Sequence, residues 1–152
     1  MSENYFEFTV VYNRAEYLSV LRDYAEHELA RSASAAGGPA PRFDKLSRAI
    51  QIVVGSLSFW VKQRRMPENR FRIDAEGIKR VNRLGTVVRS WEQIERVIHC
   101  REAYLLISQK GSMPLPYRCF GTAERAELES MLLSKTRSCA GIGGDPAAEN
   151  RA

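Results

Sequence analysis

From Arg70 to Phe120 the chain breaks into short runs separated by turn residues, and runs of that length can share a core only by pairing as strands. The runs cover about 70–74, 77–82, 85–90, 94–101, 103–109 and 112–120. Asp74-Ala75-Glu76-Gly77 and Lys110-Gly111 have the residue types that turns use. Between the third and fourth runs, Ser90 and Gln93 stand at capping-box spacing. Trp91 to Ile94 is therefore expected to form one helical turn that seats Trp91 on the core.

The N-terminal segment adds a seventh strand and a helix. Phe6, Phe8, Val10 and Tyr12 alternate with Tyr5, Glu7, Thr9 and Val11, which is strand periodicity. Asn13 precedes Glu16 at capping-box spacing, and Tyr17, Leu18, Leu21, Tyr24, Ala25 and Leu29 recur at helical intervals, predicting a helix over 14–31. Residues 32–43 are mostly Ser, Ala, Gly and Pro and read as a linker. At the other end, Thr122 is expected to cap a last helix through Lys135, with Leu128, Met131 and Leu132 inward. Residues 136–152 read as a disordered tail, leaving 1–135 as one domain.

Residues 44–65 have a different pattern. As a helix they gather Arg48, Gln51, Gly55, Ser58 and Lys62 into one narrow polar stripe and leave most of the circumference apolar. The stretch from Ala49 to Val61, apolar but for Gln51, Gly55, Ser56 and Ser58, is shorter than the roughly 20 apolar residues a membrane span requires. A core or dimer helix is the preferred expectation, with Val53, Leu57 and Trp60 at the interface of a homodimer. An interfacial helix on an anionic membrane, with Trp60, Lys62, Arg64 and Arg65 at its edge, is a second reading and a relic of a lost helical hairpin a third, while the β-branched run Ile50 to Val54 also allows a strand.

Composition removes several classes of function. Cys100, Cys119 and Cys139 form neither a disulfide framework nor a metal-binding pair, so a reducing, cytoplasmic setting is expected. The N-terminus lacks the basic and apolar regions of a signal peptide. His27 lies between Glu26 and Glu28 on a polar helix side, and His99 and Cys100, adjacent in a strand, face opposite ways, so no Cys-His dyad forms there. Arg118 beside Cys119 is able to lower the thiol pKa, yet a half-buried, inert thiol is the expectation. Asp74 and Glu76 read as turn residues, and neither Gly37-Gly38 nor 141–144 has the strand-loop-helix setting of a phosphate cradle. No catalytic residue, metal site or cofactor follows.

The net charge of +5 is unevenly distributed, because residues 62–101 hold eleven Lys/Arg against five Asp/Glu while the flanking segments are near balance. A basic region of this kind suits an acidic protein, an anionic membrane or nucleic acid. Nucleic acid is not the expected partner, since the 77–90 hairpin holds no aromatic residue for base stacking.

Phe71, Ile73, Asp74, Glu76, Gly77 and Ile78, then Trp91 and Ile94, then Tyr104, Leu105 and Ile107, and then Leu115, Pro116, Arg118 and Phe120 follow one another in an order that resembles the bacterial YcxB-like proteins. The resemblance implies an α+β fold in which a pleckstrin-homology-like antiparallel sheet of about seven strands is closed by a C-terminal helix. It brings no established catalytic residues. It also implies a membrane-embedded helical hairpin before the sheet, where this chain has only the linker and the 44–65 segment. Sheets of that type often bind phospholipid headgroups through a basic first hairpin, and Lys79, Arg80, Arg83 and Arg89 occupy a similar place. The expected function is a non-enzymatic protein-binding or regulatory module, peripheral to a membrane in one version. The alternative is an immunity protein that binds and neutralises a bacterial toxin.

Overall fold

The computed structural model describes residues 5–37, 61, 68–136 and 139–141. Strand β1 (Phe6–Val10) pairs antiparallel with β2 (Asn69–Ile73), which pairs with β3 (Gly77–Asn82) and through it with β4 (Gly85–Ser90), giving a first sheet in the order β1-β2-β3-β4. A second sheet holds β5 (Ile94–His99), β6 (Ala103–Ser108) and β7 (Gly111–Pro116), with β6 central to the antiparallel trio. Helix α1 (Arg14–Ala36) follows β1, and α2 (Thr122–Lys135) follows β7. This α+β arrangement of open sheets and helices is broadly that of the pleckstrin-homology-like architecture that the resemblance implies.

Alternation decides which side chains meet. Phe6, Val10, Phe71, Ile73 and Ile78 from the first sheet join Val97, Tyr104, Leu106, Met113 and Leu115 from the second, together with Leu128 and Leu132 of α2, in one buried cluster. The opposite face of the second sheet presents Ile98, Cys100, Ala103 and Leu105 to Val20 and Tyr24 of α1. β6 is thus covered on both faces, and its run Ala-Tyr-Leu-Leu-Ile is apolar throughout instead of alternating.

Trp91 links the two sheets. A single 3-10 turn, Trp91–Gln93, connects β4 to β5, and Gln93 Oε1 accepts from Ser90 N at 3.2 Å, one arm of the expected capping box. The indole is buried and donates from Nε1 to Asp74 O at 3.0 Å. Asp74 Oδ1 in turn accepts from Glu76 N at 3.0 Å and Gly77 N at 3.2 Å, the turn-forming role expected of it. Gly77 must lack a side chain, because a Cβ there would lie 2.2 Å from Arg89 O.

Several boundaries differ from the expectations. Helix α1 continues past Arg31 to Ala36, so Ser32–Ala36 are helical and not linker; Ser and Ala sustain a helix, and the first residue to end it is Gly37, at φ 70°. The inner line of α1 runs through Glu16, Val20, Asp23 and Ala33, while Leu18, Leu21 and Leu29 are only half-buried. Acid–arginine pairs described below set that orientation, which an apolar count misses. β5 ends at His99, and β7 stops at Pro116, with Tyr117–Cys119 forming a 3-10 turn where the strand was expected to continue. Gly121, not Thr122, is the N-cap of α2; its N–H donates to Glu124 Oε2 at 2.8 Å. Within the expected tail, Cys139–Gly141 forms β8, parallel to Val97–His99 of β5. Backbone pairing alone suffices for three residues, so composition gave no sign of it. The 44–65 helix, with Val53, Leu57 and Trp60, lies outside the described residues except for Val61, which is helical. Among the described residues no helix is long and apolar enough to cross a membrane.

Candidate binding surface

The register of the first sheet sorts its basic residues. Arg72 lies opposite Lys79 and Arg70 opposite Val81, while Lys79 faces Val88 and Val81 faces Thr86 on β4. These side chains share the face turned away from the core, with Glu7 and Thr9 of β1 completing the rows. Arg70, Arg72 and Lys79 are exposed, as are Val81, Val88 and, at the hairpin tip, Leu84. Asn82 shapes that tip, its Oδ1 accepting from Leu84 N at 3.0 Å and its Nδ2 donating to Asn69 Oδ1 at 3.1 Å.

Lys79, Arg80, Arg83 and Arg89 are therefore not one patch. Lys79 points outward, Arg83 sits in the exposed turn, and Arg80 and Arg89 belong to the core-facing rows, in register with Phe71 and Ile78 respectively. Adjacent residues of a strand must face opposite ways, so a quartet defined by sequence proximity divides. Arg70 and Arg72 take the vacated places beside Lys79. Their signal was the alternation Arg70-Phe71-Arg72-Ile73, which puts both arginines on the side away from Phe71.

Of the three cations on this face, Arg72 alone has an acidic partner among the described residues. Arg72 Nε is 3.4 Å from Asp74 Oδ2, and its guanidinium lies 4.9 Å from the centre of the Tyr5 ring. Arg70 and Lys79 have no ion pair among the described residues. Arg89 has a different role: Nη1 donates to Val88 O at 2.9 Å, a side chain capping a backbone group of strand β4. It also borders an open cavity of about 200 Å³ with Glu92, Gln93, Glu95, Ser108 and Lys110, where acids and bases offset one another.

Other polar clusters hold the fold together. Glu16 caps no backbone group with its carboxylate; it accepts from Arg118 Nε at 2.8 Å and Nη2 at 3.1 Å, while Asn13 Oδ1 accepts from Glu16 N at 2.8 Å. Asp23, fully buried, accepts from Arg101 N at 2.8 Å, and Glu28 accepts from Arg96 Nη2 at 2.7 Å. These contacts fix α1 on the second sheet. On the other face, Arg125 lies 3.7 Å over the Tyr117 ring and donates to Tyr104 Oη at 3.3 Å, tying α2 to β6. His99 packs edge-on against Tyr104 at 5.0 Å, and its Nδ1 is 3.7 Å from Glu129 Oε1.

The thiols of Cys100 and Cys119 sit in settings that suppress ionisation. Burial pushes Cys100 up to about 12, with Asp23 adding to the effect. Burial also raises Cys119, against an opposing pull from Arg118, so the expected lowering by arginine is the smaller influence. Half-buried His27 lies on α1, and among the described residues no three metal-ligating side chains are grouped.

No curated protein and no solved structure matches the chain. The model of one family, described as YcxB-like protein, matches residues 73–132, from the last residue of β2 into the final turns of α2. That match covers the Trp91 turn, strands β5, β6 and β7 and most of the closing helix, and over this stretch the chain is similar to that family.

Proposed function

We propose that this chain is a non-enzymatic binding module of YcxB-like type that engages an acidic protein surface through the exposed face of its first sheet. The observation that carries the reading is the grouping of Arg70, Arg72 and Lys79 with exposed Val81 and Val88 on one face of the first sheet. Cations so placed steer an acidic partner into position, and exposed apolar side chains among them contribute contact area once it docks. A non-catalytic role is supported by the use of the other described polar clusters in holding α1 and α2 against the sheet, and by burial that keeps Cys100 and Cys119 protonated. A toxin neutralised by occlusion is one partner such a face would serve.

The test compares an acidic peptide of alternating Glu and Val with anionic and neutral vesicles, using wild type and an Arg70→Glu, Lys79→Glu variant. Saturable binding of the peptide, abolished by the double reversal and accompanied by no vesicle binding, is expected. Reversal-sensitive sedimentation with anionic vesicles and no peptide binding would assign the face to a peripheral membrane role. Binding unaffected by the reversal would remove the face from the account.

A further inference from the structure

Strand β4 ends the strand order of the first sheet, and the hairpin that delivers it fixes which backbone groups it turns outward. The loop between β3 and β4 consists of Arg83 and Leu84, so Asn82 and Gly85 are the hydrogen-bonded pair beside the turn. Bonded pairs alternate with unbonded ones along an antiparallel ladder, and they recur at Arg80–Val87 and Ile78–Arg89. Thr86, Val88 and Ser90 therefore aim their N–H and C=O groups away from β3. Side-chain contacts agree with that parity: Ser90 N donates to Gln93 Oε1 at 3.2 Å, and Val88 O accepts from Arg89 Nη1 at 2.9 Å.

Those contacts close the half of the edge nearer the Trp91 turn. The half nearer the hairpin tip, Thr86 N–H and C=O with Val88 N–H, is left to solvent: no residue of β4 is buried, Thr86 is exposed and Val88 is 59% exposed. Proline, which guards a strand edge, stands in β7 at Pro114 and Pro116. β4 has neither proline nor bulge, and its register with β3 is unbroken from Gly85 to Ser90. A regular, β-branched edge of this kind accepts another extended chain through main-chain hydrogen bonds.

We infer that β4 receives an extended acidic segment of a partner protein, which adds to the first sheet as a further strand bonded at Thr86 and Val88. Charge selects this occupant: Gly77–Ser90 carries Lys79, Arg80, Arg83 and Arg89 and no acidic residue, so the hairpins of two copies repel each other while Glu and Asp are attracted. Thr86 and Val88 share the outer face with Lys79, and alternate side chains of the added strand extend that face. The inference rests on the proposed function for the sign of the partner's charge and adds how the partner is held.

The full chain is titrated with a blocked peptide of alternating Glu and Val, and with the same peptide N-methylated at every residue, which keeps its side chains and charge but removes its main-chain donors. The unmethylated peptide should bind and slow amide exchange at Thr86 and Val88 by about tenfold or more, and methylation should weaken binding by at least about tenfold. Val88→Pro, which deletes an N–H pointing away from the ladder, should weaken binding well beyond Val88→Ala, which keeps it. Equal binding of both peptides with exchange at Thr86 and Val88 unchanged would overturn the inference and leave the outer-face reading standing; binding of neither would remove both. Dimerisation of the chain alone, with those two amides already protected, would assign the edge to a second copy and also overturn it. Should Val88→Pro fail to fold, the methylated peptide and the exchange rates of wild type still decide.

Discussion

Replacing Trp91 with alanine tests how the two sheets are joined. The indole is 6% exposed, packs in the cluster that unites both sheets with α2, and donates one hydrogen bond to Asp74 O. Truncating a buried Trp to Ala costs about 3–5 kcal/mol, and removing the bond alone accounts for about 1 kcal/mol of that. Trp91→Phe should therefore cost about 1–2 kcal/mol, and Trp91→Ala the full amount. With a urea dependence of about 2 kcal/mol per molar, the alanine variant should lose about 1.5–2.5 M from its midpoint. Circular dichroism is the suitable probe, since the substitution removes the fluorophore and Trp60 alone remains. A loss below about 0.5 M would mean that Trp91 does not pin the sheets, and the reasoning from burial would fail.

Gly77→Ala should destabilise by about 2 kcal/mol or more because its Cβ meets Arg89 O, whereas Gly85→Ala, with open space and only its φ of 130° to strain it, should cost about 1 kcal/mol; paired urea melts check the ranking. A double-mutant cycle on Glu16→Gln and Arg118→Met should return a coupling of about 1 kcal/mol, modest because the Arg118 side chain is 49% exposed; additivity would show that the pair does not fix α1. Cys100 binds its proton more tightly folded than unfolded, so unfolding releases a proton above the ordinary thiol value and stability should fall as pH rises from about 9 to about 12, by at most about 1.4 kcal/mol per pH unit. Cys119 acts in the same direction from about 9, and Tyr12, Tyr104 and Tyr117 above 10, so Cys100→Ala should make the profile less steep, most visibly between pH 9 and 10. An unchanged profile in that variant would refute the assignment.

Most of the fold is legible in the sequence because its signals are local. The ranges of β3, β4 and α2, the Trp91 turn and the alternation of β1 follow from period-two patterning, turn residues and capping spacing. The misses share a different cause. Docking of α1 depends on Arg96, Arg101 and Arg118 meeting acids 68 to 102 residues away, and no local pattern encodes those distances. β8 is held by backbone groups of a distant strand, to which side-chain composition gives no clue. The proposed face was half legible: Lys79 lies on it as the sequence suggested, but Arg70 and Arg72 share that face only through the pairing of β2 with β3, and Arg80 and Arg89 point the other way for the same reason.

The claim that the outer face of the first sheet meets a protein is tested most directly by photo-crosslinking in the native cells. Val88 on that face and Leu133 on α2 are equally exposed, each at 59%, so a photoreactive residue at either position has similar access to its surroundings. The account predicts a discrete adduct with an acidic protein from position 88, absent from position 133 and lost when Arg70 and Lys79 are both changed to Glu. Equal labelling from the two positions, or an adduct at 88 that survives the charge reversal, would contradict it.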